Sequence, residues 1–309
     1  MNSEIQKILN NRAEIASEIK LIPFDGSIEI KTISGERYLY ARNRVNGKNT
    51  STYIDKYSDE LYQILIRQAQ ELRALKKQLR TIDKELAELG YTSDELSPDV
   101  LLNIDFARAN VKSLIYDQAV LEGVSTTFPQ TDAILENGVV NGVSVSDVQK
   151  ILNLKHAWEF ILDKDVVASK SDYYILCHIA GMINENFYTN GGKLRSVPVT
   201  IGGTDYVPNL PIEVDVKEEI NRITSIDEEP IVKAIKLCLY CMKSQLFIDG
   251  NKRSAIIFAN HYLIQQSEGL LVVPEKNVEE FRNLLISYYE SENESIIDFM
   301  KKHCWRKMK

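Results

Sequence analysis

The residues most able to do chemistry lie in one run of the 309-residue chain, Gln245-Leu246-Phe247-Ile248-Asp249-Gly250-Asn251-Lys252-Arg253. It sits between two apolar-patterned stretches, one marked by Ile231, Ile235, Cys238, Leu239 and Met242, the next by Ile256, Ile257, Ala259, Leu263 and Ile264. A glycine turn that opens a helix leaves backbone N–H groups unpaired at the positive end of the helix dipole, where an anion is favoured. Lys252 and Arg253 add charge, and Asp249 can hold a divalent metal that bridges phosphates. Spacing alone therefore offers phosphate binding, with a plain helix cap as the alternative.

Helices must position this turn. Apolar spacing predicts them over 98–122, from near Pro129, and over 144–163, 171–187, 213–225, 230–246, 252–267, 276–289 and 293–303. Gly123 ends the first, and Thr126 or Thr127 can cap the second. One interruption, VPVTIGGTDYVPNLP at 197–211, has β-branched residues around Gly202-Gly203 and closes on two prolines, which reads as a short hairpin. The expected class is mainly α.

The N-terminal part is patterned differently. Residues 1–20 suit a short helix that stops before Pro23, and 27–55 alternates as a three-stranded meander broken at Ser34-Gly35 and Asn46-Gly47. That meander is either a small structural sheet or a binding face using Arg42, Arg44, Lys48 and the tyrosines. From Asp59 to Leu89 a heptad seam runs through leucines and isoleucines, interrupted at Gln68. It predicts a helix of roughly 45 Å whose stripe needs cover, from a second copy in a homodimer through 59–89 or from the helix at 1–20. Gly90 stops it, and YTSDELSPDV marks the boundary between an N-terminal module at 1–92 and a domain at 93–309.

Composition narrows the classes. With 44% apolar residues and 37 Lys+Arg against 44 Asp+Glu, the chain is globular and carries a formal charge of −7, against a whole-chain nucleic-acid surface. Residues 1–90 hold 15 basic and 13 acidic residues, so nucleic acid remains open only through 1–92. Four scattered cysteines make no disulfide framework, and the Cys238/Cys241 spacing lacks a second pair for zinc. The basic tail KKHCWRKMK suits the carbonyl end of the last helix. No leader and no apolar run of about 18 residues is present, so the expectation is a cytoplasmic chain without membrane contact.

The 245–253 string resembles the signature of the Fic (Fido) family, His-x-Phe-x-Asp/Glu-Gly-Asn-Gly/Lys-Arg, matched at Phe247, Asp249, Gly250, Asn251, Lys252 and Arg253. TIGGTDYVP, preceded by Gly191-Gly192-Lys193-Leu194-Arg195, looks like that family's flap, with Thr200, Ile201, Gly202 and Gly203 docking a target segment by strand addition. Gln118-Ala119-Val120-Leu121-Glu122-Gly123 resembles the inhibitory motif Ser/Thr-x-x-x-Glu-Gly/Asn, which gives Glu122 and Gly123 an inhibitory role in a helix at 104–123. The resemblance spans about 98–300 and implies a Fic-fold helical domain using ATP and Mg²⁺. Its implied activity is transfer of AMP to a hydroxyl side chain of an unidentified target protein. The metal falls to Asp249, and the nucleotide to Phe247, Asp249 and the turn Gly250–Arg253, with Asn251 and Arg253 as the most direct contacts and Phe247 rather an anchor.

The chain departs from the pattern at several positions. Gln245 stands where the family has its general-base histidine, and losing a general base typically costs about 10²–10⁴ in rate. Ile256 replaces a second arginine found in many members, leaving Glu122 to pair with Arg253 or Lys252. Gln118 replaces Ser/Thr, and Lys252 is shared with Doc-type members that phosphorylate their targets. His156, His178, His261 and His303 lie outside the motif and read as structural. The expectation is a Fic-type nucleotide-binding protein with weakened or altered transfer. Its alternatives are a non-catalytic nucleotide- or protein-binding regulator and transfer of a different phosphate-containing group.

Overall fold

A computed structural model describes residues 3–45, 48–89, 96–136 and 138–308. It divides into two compact units, Met1–Thr92 and Ser93–Lys309.

The first unit runs α1 (Ser3–Leu21), β1 (Ser27–Ile33), β2 (Glu36–Val45), β3 (Lys48–Lys56) and α2 (Asp59–Glu88). Its strands form an antiparallel sheet in the order β1-β2-β3. The expected Asn46-Gly47 turn and Gly90 stop lie outside the described residues. Period-two alternation buries Leu39 and Ala41 of β2 on one face and sends Tyr38, Tyr40 and Arg42 to the other. Ser58 starts α2 by accepting the Leu61 N–H at 3.2 Å, and Asp59 and Glu60 complement the dipole. The heptad stripe finds its cover inside the chain. Leu75, Ile82 and Leu86 close a core cluster with Leu9 and Ile15, and Ile5, Ile8, Ile19 and Leu79 pack on it. The need for a second copy, which motivated a homodimer through 59–89, is thereby met by α1.

The second unit follows as α3 (Pro98–Leu121), α4 (Phe128–Leu135), α5 (Val145–Ile161), α6 (Lys164–Ala168), α7 (Tyr173–Ile183), α8 (Glu213–Ser225), α9 (Pro230–Ser244) and α10 (Asn251–Gln265). After α10 come β4 (Leu270–Leu271), α11 (Val278–Ser291), α12 (Ser295–His303) and β5 (Trp305–Arg306). Thr127 caps α4 in a reciprocal capping box with Gln130. Every residue of α10 except Lys252 and Gln265 is buried, as a helix surrounded by α3, α5, α7 and α9 requires. Two of its polar interior residues are satisfied individually. Asn260 bonds both backbone groups of Leu271, and His261 donates to the Val166 carbonyl at 2.8 Å.

Two local expectations change. The 197–211 segment turns at Gly202-Gly203, but its arms form no β ladder. Pro198 and Pro208 remove N–H donors that a ladder would use. The basic tail does more than complement a helix end: β5 pairs antiparallel with β4, and Arg306 binds Asp117 of α3 at 2.6 Å. Among the described residues no helix is long and apolar enough to cross a membrane, and no cluster of metal-ligating side chains is found. All four cysteines are free, with Cys238 and Cys241 buried in α9, where burial raises both thiols.

Candidate active site

The site begins with two backbone kinks. Gln245, the C-cap of α9, takes a left-handed conformation at φ 45°, and Gly250, the N-cap of α10, does so at φ 72°. A Cβ on Gly250 would meet Ile183 Cγ2 at 2.5 Å, so the loop seats against α7 only because that residue is glycine. Between the kinks the loop is pinned from inside. Phe247 is buried; its N–H donates to Asn251 Oδ1 at 2.9 Å and its carbonyl accepts from Asn251 Nδ2 at 2.8 Å. Asn251 Nδ2 also reaches Gln245 Oε1 at 3.1 Å, which uses its second hydrogen. Gln245 Nε2 donates to the Met242 carbonyl at 2.7 Å, capping its own helix.

A second set of bonds fixes the loop to its surroundings. Asn184, buried at the end of α7, donates to the carbonyls of Gly191 and Asp249 at 3.1 and 3.0 Å. Arg195 is buried among carbonyls. It donates to Gln245 O at 2.5 Å, Val197 O at 2.8 Å, Pro208 O at 3.1 Å and Asn209 O at 2.6 Å. Burial lowers its pKa, and with it the charged form is sustained by the negative end of α9 and these dipoles. One guanidinium thus joins both arms of the 197–211 segment to the start of the loop, in place of strand pairing. Neither this part of Arg195 nor that of Asn184 is marked by the sequence, because neither set of contacts is local in the chain.

Glu122 approaches from α3. Gly123, at φ 76°, ends that helix in a Schellman arrangement: its N–H donates to Val120 O at 3.0 Å, and Val124 N–H donates to Ala119 O at 3.0 Å. Gln118 is buried; it donates to the Arg253 carbonyl at 2.8 Å and accepts from Trp158 Nε1 at 3.2 Å. Glu122 is thereby held 3.4 Å from both Lys252 Nζ and Arg253 Nε. Neither approach is an aligned hydrogen bond, since Glu122 Oε1 and Arg253 Nε and Nη1 are buried without partners. Arg253 Nη2 binds Asp249 at 2.9 Å. Ile256, in place of a second arginine, lies buried in α10, so Lys252 and Arg253 are the cations facing Glu122.

These parts enclose a cavity of about 550 Å³. Of the residues singled out by sequence, it brings together Glu122, Thr200, Gln245, Asp249, Gly250, Asn251 and Lys252, with Pro198, Val199, Val207 and Ile248 completing the wall. Phe247, Arg253, Gly123 and Ile201–Gly203 do not line it. The expected direct contact from the Asn251 amide is occupied within the loop. Arg253 lies behind Glu122 and Asp249, with its side chain 3% exposed. No histidine lines the cavity. His261 bonds Ser171 and Val166, His156 faces Glu185, His178 stacks on Phe160 and His303 packs on Phe299.

The residues fit a nucleotide phosphate: no side chain caps α10, so its first-turn N–H groups are open, and Arg253 has two buried donors without an acceptor. They fit Mg²⁺ through a single carboxylate, Asp249, half exposed at the cavity wall, as metals that share phosphate ligands need few protein ligands.

Comparison with known proteins agrees with this architecture. Residues 170–263 match the Fic/DOC family, and residues 1–63 match a domain of unknown function, DUF6788. A protein adenylyltransferase Fic of Drosophila grimshawi is 24% identical over 221 residues, covering 67% of this chain and 45% of the relative. Protein adenylyltransferase fic-1 of Caenorhabditis briggsae is 24% identical over 175 residues, covering 54% and 34%. The chain thus spans less than half of these relatives. Among solved structures, Fic-1 of C. elegans (residues 134–508) superposes with TM-score 0.55 at 19% identity, covering 80% of this chain and 74% of that one. A Fic domain containing signaling protein from Bacteroides thetaiotaomicron gives 0.53 at 16% identity, covering 71% and 91%. The chain thus carries a Fic/DOC domain match at residues 170–263 and shares the fold of these Fic structures.

Proposed function

We propose that the second unit binds ATP with Mg²⁺ and directs AMP to a hydroxyl of a protein segment docked along 197–211, with transfer slowed at Gln245 and restrained by Glu122. The carrying observation is the single cavity bounded by that segment, the 245–252 loop and Glu122. Phosphates would meet the open N–H groups of α10 and Lys252. Asp249 would hold Mg²⁺, which supplies charge neutralisation to the phosphates. The target oxygen forms a bond to the α-phosphorus as pyrophosphate leaves, and the hydroxyl proton must go to a base.

Gln245 decides how fast that proton leaves. Its amide offers one donor to Met242 O and one acceptor to Asn251, the pair a neutral imidazole would offer, but without basicity near neutral pH. Glu122 meanwhile sets a carboxylate against Lys252 and Arg253, the charges a γ-phosphate would require. One observation favours a binding-only regulator as the second reading: both the nitrogen and the oxygen of the Gln245 amide are used in holding its loop.

Incubation with α- and γ-labelled ATP and cell lysate separates the readings. Gln245→His is expected to raise transfer by about 10² or more, and Glu122→Gly to raise it further. Label from the α position alone identifies AMP transfer; γ label identifies phosphorylation. Calorimetry gives the binding arm, and flat titrations with ATP·Mg²⁺ in both the natural chain and Glu122→Gly would reject nucleotide binding altogether.

A further inference from the structure

The solvent face of the N-terminal sheet carries a feature that the nucleotide site does not use. β2 and β3 pair regularly from Tyr38↔Lys56 to Leu39↔Asp55, and then Tyr40 faces Tyr53, skipping Ile54. Without that bulge Tyr53 would oppose Ala41 and turn with it to the buried face. The bulge re-aims it, placing Tyr53 beside Tyr40 and leaving Ile54 half-buried. The outcome is an aromatic platform. Tyr53 contacts Tyr40 edge-on with centroids 5.7 Å apart and lies 6.2 Å from Tyr38, while Tyr53 itself stays 53% exposed.

Positive charge surrounds this platform. Lys31 Nζ stands 4.5 Å above the Tyr40 ring, Lys56 pairs across from Tyr38, and the exposed Arg42 follows Tyr40 on the same face. The acidic groups here are occupied: Glu36 accepts from Lys56 at 2.8 Å and from Tyr38 at 2.9 Å, and Glu29 accepts from Ser51 at 3.3 Å. At the end of the sheet a cavity of about 400 Å³ is lined by Arg42, Arg73, Lys76 and Asp25. Lys76 binds Asp25, whereas Arg42 and Arg73 form no ion pair among the described residues. Across 27–56 six basic residues stand against three acidic ones, in a chain that is acidic overall.

We infer that this face binds single-stranded nucleic acid, bases stacking on Tyr38, Tyr40 and Tyr53 and the backbone phosphates running toward Arg42 and Arg73. Exposed rings accept any base, and flanking cations track the backbone, the combination single-strand binders use.

Fluorescence anisotropy of the full chain with a labelled single strand of about 20 nucleotides tests this. Binding is expected to weaken with salt and to survive excess ATP·Mg²⁺. Tyr53→Ala should weaken it roughly tenfold, Tyr53→Phe should retain it, and Arg42→Glu should weaken it roughly tenfold with a smaller salt dependence. Tyr53 is exposed, so an unchanged far-UV spectrum is expected of these variants. Absence of binding at low salt, parental affinity in Tyr53→Ala, equal affinity for a duplex of the same length, or displacement by ATP each overturns the proposal.

Discussion

The two units handle polar groups in opposite ways. In Ser93–Lys309 asparagines, serines, two arginines and histidines are buried, most of them hydrogen-bonded and a few atoms, such as Ser254 Oγ and two nitrogens of Arg253, without a partner, and all the described buried polar residues fall in this unit. In Met1–Thr92 the core is aliphatic, and charges and tyrosines lie on the surface. A buried, satisfied polar group fixes a loop to within one geometry, because leaving it unpaired is costly. A surface group fixes little but stays available to a partner. The 245–253 loop is therefore pre-shaped by its surroundings, whereas the sheet offers its chemistry outward.

Breaking a buried member should have the largest effect. Arg195→Met strands the carbonyls of Gln245, Val197, Pro208 and Asn209 and is expected to destabilise the second unit by about 3 kcal/mol or more, read from urea unfolding. Limited proteolysis should then cut within 197–211.

Acid sharpens the same contrast. Burial lowers the His261 pKa from 6.5 to about 4. Between those values the unfolded chain takes up a proton there that the folded chain does not. Stability is therefore unaffected above pH 6.5 and falls as pH drops toward 4, by roughly 3 kcal/mol. Urea midpoints at neutral and acid pH should show this slope, and His261→Gln should lack it.

Two glycines give a smaller, paired test. Gly250→Ala meets Ile183 and must hold φ 72°, an expected loss of about 2–3 kcal/mol by thermal unfolding. Gly35→Ala, at φ 87° with nothing within 4 Å, should lose only about 1 kcal/mol. Smallest of all is Arg12→Ala, which removes a surface pair with Asp83 at 2.6 Å and should change stability by under about 1 kcal/mol in a double-mutant cycle with Asp83→Ala.

Much of the fold was legible because its signals are local. Periodicity located α2, α8 and α10 to within a residue or two, Thr127 and Gly123 marked caps, and alternation located three strands. What escaped has distant causes. The β4 and β5 strands are two residues each and exist only by pairing across more than thirty positions. The 197–211 segment reads as a hairpin by composition, yet its prolines and the Arg195 side chain replace the ladder. Within the site, Asp249–Lys252 are adjacent in the chain and needed no folding to be grouped. Glu122 and Thr200 reach them only through the packing of α3 and the path after α7.

The longer helices, the alternation of the meander and the glycine turn with its charges are written in the chain itself, since hydrophobic period and backbone conformation act over a few residues; the five-residue α6 is not. Packing of the whole chain is what lays α1 over the α2 stripe, turns the Asn251 amide into the loop, brings Glu122 to Lys252 and Arg253, and, through a bulge at Ile54, lifts Tyr53 beside Tyr40. Each of those outcomes depends on which partner a side chain finds across space, and hydrogen bonding and burial select that partner only when the whole chain is packed.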